Sequence, residues 1–142
     1  MYNKTRYFLF GFTLLELLVV LVILGLLASL VGPQVLKQLS GSKTKTANLQ
    51  IKELGTALDL FRLEVGRYPS SSEGLEALLR QPADTRGWNG PYLTKKNLPR
   101  DPWGNDYQYR YPGHNGAYDL FSLGADNQEG GEGEARDVGS WE

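Results

Sequence analysis

The sequence predicts an α+β fold, in which a long N-terminal helix with a membrane-spanning first half packs on a small antiparallel β-sheet. Three patterns lead to this prediction. An apolar stretch occupies the N-terminus, an amphipathic stripe of helical period follows it, and tyrosine- and glycine-rich segments of alternating polarity fill much of the second half. The 142 residues amount to about one domain by the usual length prior.

The first element is an apolar helix long enough to cross a bilayer. Phe12 to Val31 contains only four residues that are not clearly apolar, Thr13, Glu16, Gly25 and Ser29. At ~1.5 Å of rise per residue the stretch spans ~30 Å, one bilayer core. Lys4 and Arg6 precede it without any acidic residue, so the positive-inside tendency places the N-terminus in the cytoplasm and everything after Pro33 outside it.

Glu16 is the unusual residue of this stretch, because a charge at the centre of a membrane helix costs ~2.5 to 3.5 kcal/mol. A signal peptide has a shorter apolar run, and a plain anchor gives no reason for a carboxylate. Cleavage between Gly11 and Phe12 would create an ammonium group at Phe12 that Glu16 of a neighbouring subunit could pair with. Such a desolvated pair would specify the stagger between subunits. The alternative is a tolerated glutamate at the membrane interface.

The helix continues as an amphipathic segment after Gly32 and Pro33. Its apolar stripe has steps of four and three residues: Ala47, Ile51, Leu54, Leu58, Phe61 and Val65. The opposite face is polar: Lys45, Lys52, Asp59 and Arg62. We expect this half to pack on the sheet; a coiled coil fits less well, since the stripe lasts under three heptads. Pro33 is the expected weak point, because proline lacks the amide that a helix interior uses.

Short elements are predicted downstream. Ser70 and Glu73 have capping-box spacing, which predicts a short helix before Pro82. The segment "DYQYRYP" predicts one strand and "AYDLFSLG" a second, joined by "PGHNG", whose Asn115 and Gly116 favour a hairpin turn. The segment "DPWG" predicts a turn that places its tryptophan in the core.

Composition excludes several kinds of site. The formal net charge is −1, so nothing indicates an electrostatic nucleic-acid binder, and we expect no nucleic-acid partner. The absence of cysteine removes disulfides, thiolate metal sites and a cysteine nucleophile. His114, the only histidine, lies in a predicted turn and is expected to be a solvated loop residue. We find neither a catalytic triad nor a phosphate-binding loop in the sequence.

The segment "GFTLLELLVVLVILGLLASLVGP" resembles the N-terminal motif of type IV pilins and pseudopilins. The resemblance implies a pilin-like fold, cleavage by prepilin peptidase after Gly11 and N-methylation of Phe12. The segments "RYPSSSEGLEALL", "GPYL", "LPRDPWGNDYQY" and "YDLFSLGADNQEGGEGEARDVGSW" are similar to the major pseudopilins of the type II secretion system. Residues 1–11 would then be a cleaved leader, 12–33 a transmembrane and assembly helix, and 34–142 a periplasmic globular domain.

The resemblance also implies a function, partners and no enzyme activity. Members of this family form a periplasmic filament, the pseudopilus, beneath the outer-membrane secretin of Gram-negative bacteria, and help to drive folded exoproteins out of the cell. Expected partners are copies of the same chain, prepilin peptidase, minor pseudopilins, the inner-membrane assembly platform and the inner membrane, which the chain would cross once. Alternatives are a type IV pilin, a minor pseudopilin or, from another class, a membrane-anchored periplasmic binding module or enzyme.

Two further sites follow from the resemblance. Asp59 is expected to meet Lys95 or Lys96 of the next subunit, although the family often carries a second acid where this chain has Gly55. A calcium site is expected in the loop near Asp126 and Asp137, with side-chain oxygens from these two residues and main-chain carbonyls from Leu123 and Val138.

Composition alone leaves the calcium site open. Residues 126–137 carry five acids against Arg136, and Gly130, Gly131 and Gly133 let the backbone curl. Flexible oxygen ligands suit Ca²⁺, but the spacing is not that of an EF-hand, and a solvated acidic loop accounts for the composition equally well. Glu129, Glu132 and Glu134 are less certain ligands. Arg136, beside Asp137, departs from the family pattern in a way that would weaken calcium binding.

Overall fold

The computed structural model describes residues 11–142, which form two compact units that divide between Gln38 and Leu39. Helix α1, Leu14–Val65, supplies the described helix of the first unit and continues into the second. All strands belong to the second unit. The predicted leader, with Lys4 and Arg6, lies outside the described residues except for Gly11.

Helix α1 has recognisable ends and an uninterrupted interior. At its start the Glu16 amide donates to Thr13 Oγ1 at 3.2 Å. At its end Gly66, with φ 89°, donates its amide to the Arg62 carbonyl at 2.8 Å, a left-handed glycine stop. The helix runs through Pro33 without a break, so the expected weak point does not end it. A proline removes one backbone hydrogen bond, and the turns on either side keep theirs.

The amphipathic stripe of α1 forms one side of the core, as predicted. Five of its six residues are buried and Val65 is half-buried, whereas Lys45, Lys52, Asp59 and Arg62 are exposed. The other side of the core comes from the short elements and includes Leu78, Tyr107, Leu120 and Val138. Trp103 packs against this cluster but is only half-buried. The prediction that it contacts the core is confirmed, and the prediction that it lies inside the core is wrong.

The predicted capping box is present. The Glu73 amide donates to Ser70 Oγ at 3.2 Å, and the Ser70 amide donates to Glu73 Oε2 at 2.6 Å. Arg67 adds two guanidinium hydrogen bonds to the same carboxylate, at 2.7 and 2.8 Å. The element that follows, Leu75–Leu78, is a 3-10 helix and not the α-helix that a capping box usually introduces. Gly74, with φ 60°, interrupts the helical geometry immediately before it.

The sheet has three short antiparallel strands in the order β1, β2, β3: Gln108–Arg110, Asp119–Ser122 and Val138–Gly139. The first two form the predicted hairpin, with Tyr109 opposite Leu120. Strand β3 pairs with β2 and was not predicted. Strand β3 contains only two residues, and so short a segment cannot show the alternation of polar and apolar residues from which a strand is predicted.

The β1–β2 connection is not the tight Asn-Gly turn that the sequence favoured. Such a turn needs positive φ at both central residues, and neither Asn115 nor Gly116 has it. The buried Asp119 carboxylate organises the loop instead, by accepting the amides of His114 and Asn115 at 2.8 and 2.9 Å. Burial opposes ionisation of Asp119, but these hydrogen bonds outweigh it and lower the pKa of the carboxyl. His114 is exposed, as predicted.

The capping box predicts a pH dependence of stability. Hydrogen bonds from Arg67, and then from Ser70, lower the pKa of Glu73 from 4.5 to about 2, so its contribution is present above the unfolded pKa and is lost as the pH falls toward 2. Glu73→Gln should lower the stability at pH 7 by about 1 kcal/mol. The difference from the unmodified protein should shrink between pH 4.5 and 2. Thermal unfolding of the purified protein in detergent measures this.

The control is Glu76→Gln, which changes an exposed acid of the adjacent 3-10 helix. This variant should match the unmodified protein throughout. An effect of Glu73→Gln that is independent of pH over this range would contradict the assignment.

Candidate functional site

The Gly11–Phe12 junction lies ahead of helix α1 in chain without regular secondary structure. Both residues are exposed, and Phe12 is 80% exposed. Among residues 12–142, no side chain or distant backbone atom lies within 4 Å of the position of a Cβ on Gly11. A peptide bond in such a segment is open to a peptidase, because no secondary structure must first unfold.

Glu16 lies in the first turn of α1 and is exposed. Its amide is capped by Thr13, a role that the sequence analysis missed although Thr13 and Glu16 have capping-box spacing. An acid in the first turn also interacts favourably with the helix dipole. Within residues 11–142 the Glu16 carboxylate forms no ion pair, so a cationic partner would have to come from outside the described part of this chain.

The first part of α1 presents apolar side chains on every face. Each residue from 11 to 31 is exposed, and Leu14 reaches 89%. By length and composition the helix is suited to cross a membrane. Exposed apolar surface of this extent marks a site of membrane or protein contact.

Asp59 has a specific partner in its own chain. The Tyr68 hydroxyl donates to Asp59 Oδ1 at 2.7 Å, and the Tyr68 ring is buried. Burial, followed by the hydrogen bond to Asp59, raises the pKa of Tyr68, which keeps the hydroxyl protonated as a donor. No sequence signal pointed to Tyr68, because its hydroxyl reaches Asp59 only through the fold.

Lys95 and Lys96 are exposed and lie in a segment without regular secondary structure. Neither forms an ion pair with Asp59 inside the described chain. The structure therefore does not bring the predicted partners together within one subunit. Gly55 has a steric role: a Cβ there would lie 2.9 Å from the Tyr118 hydroxyl. An acidic side chain at this position would displace Tyr118.

The C-terminal loop is folded back on itself by glycines. Gly130, Gly131 and Gly133 all have positive φ, as the predicted curl requires. The Ala125 amide donates to the Glu134 carbonyl at 2.8 Å and closes the loop. At Gly124 a Cβ would lie 2.7 Å from the same carbonyl oxygen, so only glycine fits this close approach.

The two predicted calcium-binding carboxylates have different surroundings. Asp126 is exposed, and its Oδ1 accepts the Gln128 amide at 3.1 Å. Asp137 is half-buried; its Oδ2 accepts the Gly130 amide at 2.9 Å, while its Oδ1 is buried and has no hydrogen-bond partner within residues 11–142. A buried carboxylate oxygen is stable only with a donor or a cation, so Oδ1 is a potential ligand.

The other residues predicted for the calcium site lie near the loop but do not form a complete set of ligands. Leu123 is half-buried beside the loop, and Val138 is buried in β3. Arg136 was expected to weaken calcium binding, but its guanidinium forms an ion pair with Glu142. In the described part of the chain, no three Asp, Glu, His or Cys side chains converge as a metal cluster. Any cation here would depend on main-chain carbonyls in addition to Asp126 and Asp137.

The entrance to this loop is anchored by a polar network that the sequence did not reveal. Asp101 is buried; its Oδ1 accepts the Trp103 and Asn105 amides at 3.0 and 2.8 Å, and the Ser122 hydroxyl donates to its Oδ2. The Asn105 side chain then donates to the Gly124 carbonyl at 2.9 Å. The predicted "DPWG" turn is therefore tied to the start of the C-terminal loop.

Comparison with known proteins agrees with these features. The family "Type II secretion system (T2SS), protein G" matches residues 34–141, and the "Prokaryotic N-terminal methylation motif" matches residues 10–32. A type II secretion system core protein G from Pseudomonas aeruginosa is 48% identical over 135 residues, which cover 93% of this chain and 94% of the relative. The corresponding protein of Vibrio cholerae is 49% identical over 134 residues, covering 92% and 90%.

A solved structure shares the fold. The crystal structure of the major pseudopilin from the type 2 secretion system of enterohaemorrhagic Escherichia coli matches with a TM-score of 0.62 and 33% identity, covering 71% of this chain and 88% of that one. The α+β fold with a long N-terminal helix and a small antiparallel sheet is thereby confirmed. The chain belongs to the protein G family of the type II secretion system, a family of structural subunits and not of enzymes.

Proposed function

We propose that this chain is a major pseudopilin that assembles with copies of itself into the periplasmic pseudopilus and helps to drive folded exoproteins through the outer membrane. Before assembly it would be a single-pass inner-membrane protein with residues 34–142 in the periplasm. Prepilin peptidase would remove the leader, and the inner-membrane assembly platform and minor pseudopilins would be further partners. The observation that carries the proposal is an apolar helix start, exposed on every face, that lies within the methylation motif of residues 10–32.

The family match weakens the alternatives. A membrane-anchored binding module or enzyme would share the anchor alone, whereas the similarity extends over the globular part to residue 141. A type IV pilin or minor pseudopilin would be expected to match another family over that part.

Glu16 is the residue that we assign to register. After cleavage at Gly11, the Phe12 ammonium would be a cation with no water around it in a packed bundle of helices. The Glu16 carboxylate, which lacks an ion pair in the described chain, supplies the opposite charge from a neighbouring subunit. Leaving one member of such a buried pair alone costs about 3–5 kcal/mol, so only one stagger of the helices is favourable.

The experiment is Glu16→Ala in secreting cells. The mature protein should still begin at N-methylated Phe12 by mass spectrometry, because the cleavage junction is intact, but filaments and secretion should be lost. An intact Met1, or an N-terminus near Ser29, would contradict the processing step. Normal filaments would contradict the register role.

The matched control is Thr13→Ala. This change removes the helix cap, worth about 1 kcal/mol, and keeps the Glu16 charge. Filaments should persist in the control. If Thr13→Ala abolished them as completely as Glu16→Ala, fraying of the helix start would explain both variants.

A second contact joins Asp59 to Lys95 or Lys96 of the next subunit. All three side chains belong to exposed residues, and Tyr68 holds the Asp59 carboxylate in one orientation. A surface pair contributes only about 0–1 kcal/mol, but repetition along a filament multiplies its effect on assembly.

Charge reversal tests this contact. Asp59→Lys should reduce filaments, and the combined change of Lys95 and Lys96 to Glu should partly restore them, as counted by electron microscopy. Asp59→Asn keeps an acceptor for Tyr68 and should be intermediate, which separates lost charge from lost local structure. Glu76→Lys reverses an exposed charge elsewhere and should have no effect. Absence of any rescue would count against the pairing.

We further propose that the C-terminal loop binds Ca²⁺. The unpartnered Asp137 Oδ1 supports it, as do the oxygen-rich composition and the left-handed glycines that curl the loop. Asp126 and Asp137 would contribute side-chain oxygens and Leu123 and Val138 main-chain carbonyls. The cation would offset the charges of Asp126 and Asp137 and restrict the loop backbone, since Ca²⁺ accepts about 6–8 oxygen ligands without strict geometry.

Removal of calcium should lower the melting temperature of the purified protein. A ligand at a hundredfold excess over its dissociation constant stabilises the folded state by about 2.7 kcal/mol. Asp137→Asn keeps an acceptor for the Gly130 amide but removes the charge, so it should abolish the difference between excess calcium and chelator. Asp106→Asn, outside the loop, should retain it. Calorimetry without calcium binding would overturn the site.

A further inference from the structure

A cleft lined by two arginines lies between the C-terminal end of α1 and the β1–β2 connection. Its volume is about 430 Å³, and Arg62, Arg67, Tyr68, Tyr111 and Pro112 are among its lining residues. None of the residues proposed above for register, calcium or subunit contact lines this cleft. The cleft therefore needs its own interpretation.

The two arginines of the cleft differ in what they bind. Arg67 directs its guanidinium at Glu73 through two hydrogen bonds. Arg62 lies 5.1 Å from the centroid of the Tyr68 ring and donates one long hydrogen bond, 3.4 Å, to the Tyr68 hydroxyl. Among the described residues Arg62 has no acidic partner within ion-pair distance. Because a guanidinium has five N–H donors, most of those of Arg62 are open to a ligand.

The chemistry of the cleft selects a carboxylate on a short apolar stem. A guanidinium is planar and binds a carboxylate through two parallel hydrogen bonds. The half-buried Tyr111 and the exposed Pro112 provide apolar surface beside it. A glutamate side chain matches both features, since its two methylene groups can lie on the aromatic and proline surfaces while its carboxylate meets Arg62.

The same chain carries a suitable glutamate. Residues 126–137 hold five acids and one arginine. Glu129 lies 4.0 Å from Arg110, whereas the side chain of exposed Glu132 has neither a hydrogen bond nor an ion pair within residues 11–142. No residue of this loop lines the Arg62 cleft of its own chain.

We infer that the Arg62 cleft of one copy receives Glu132 of the next copy, an inference that rests on the proposed self-assembly. The contact joins two different surfaces, so in a pair one copy keeps a free loop and the other keeps a free cleft, and each can bind a further copy. Repetition of such a contact produces an open filament and not a closed dimer. Charge complementarity between cleft and loop is the physical basis of the recognition.

The first test exchanges the charges. Arg62→Glu and Glu132→Arg should each reduce the number of filaments in cells, because each places like charges together. The double variant should restore them. Restoration supports the direct contact, since misfolding from either change would not be repaired by the other. Loss in both single variants without restoration would overturn it.

The second test uses the absence of cysteine from the chain. The full-length variant Arg62→Cys with Glu132→Cys, oxidised in assembled filaments, should give a ladder of covalent oligomers, and each single variant should not. Arg62→Cys with Glu76→Cys is the matched control, because Glu76 is also an exposed acid but lies in the 3-10 helix. It should give no ladder.

The two proposals fail in different ways. Filaments of the unmodified chain without a ladder from the Arg62 and Glu132 pair would overturn this contact and leave self-assembly standing. Absence of filaments from the unmodified chain would overturn self-assembly itself. An equal ladder from the Glu76 control would show random collision and would also overturn the contact.

Discussion

Burial of one face of helix α1 is the interaction on which the globular unit depends. The three strands contain three, four and two residues, and so small a sheet is not stable in water without a surface to cover it. The stripe from Ala47 to Phe61 provides that surface, and Leu120 and Val138 pack with it in one cluster. Burial of each large apolar side chain contributes about 1.5–3 kcal/mol, which the few ladder hydrogen bonds could not replace.

Two buried carboxylates fix the conformation of the loops on either side of the short strand β1. Asp119 holds the β1–β2 connection through two backbone amides, and Asp101 holds the "DPWG" turn and accepts the Ser122 hydroxyl. A buried carboxylate must be satisfied by several donors, so each of these acids fixes the backbone around it in one conformation. The Arg62 cleft lies beside the β1–β2 connection, and the C-terminal loop begins at Gly124, which is tied to the "DPWG" turn through Asn105.

The chain has two kinds of exposed surface, an apolar one on the first part of α1 and a set of charged groups. The first suits a subunit in the membrane, and both suit a subunit in a filament. The first part of α1 is apolar on all faces, which is favourable in lipid and equally favourable among other helices, so it can pass from one to the other. Apolar surface alone does not select a register. Charged groups without an ion pair within residues 11–142, Glu16 and Arg62 among them, are the ones to which we assign the directional contacts that a regular assembly needs.

The sequence by itself determined the elements whose signal is local or periodic. The membrane-length apolar run, the buried stripe of α1, the capping box of Ser70 and Glu73 and the β1–β2 pairing all follow from spacing within one segment. The spacing of Thr13 and Glu16 carried the same kind of signal and could have been recognised. Family membership was also accessible, because the methylation motif and the segments of the globular part are distinctive as sequence.

Only the tertiary structure decided the features that join distant segments. Strand β3 exists because β2 offers an edge to it, the Asp119 loop replaces the Asn-Gly turn, and Tyr68 reaches Asp59 after the chain has left the helix. Whether Asp137 Oδ1 and the donors of Arg62 have hydrogen-bond partners likewise depends on the atoms that the fold places around them. The physical reason is that burial and hydrogen-bond satisfaction depend on which atoms lie nearby in space, and residue spacing along the chain does not contain that information.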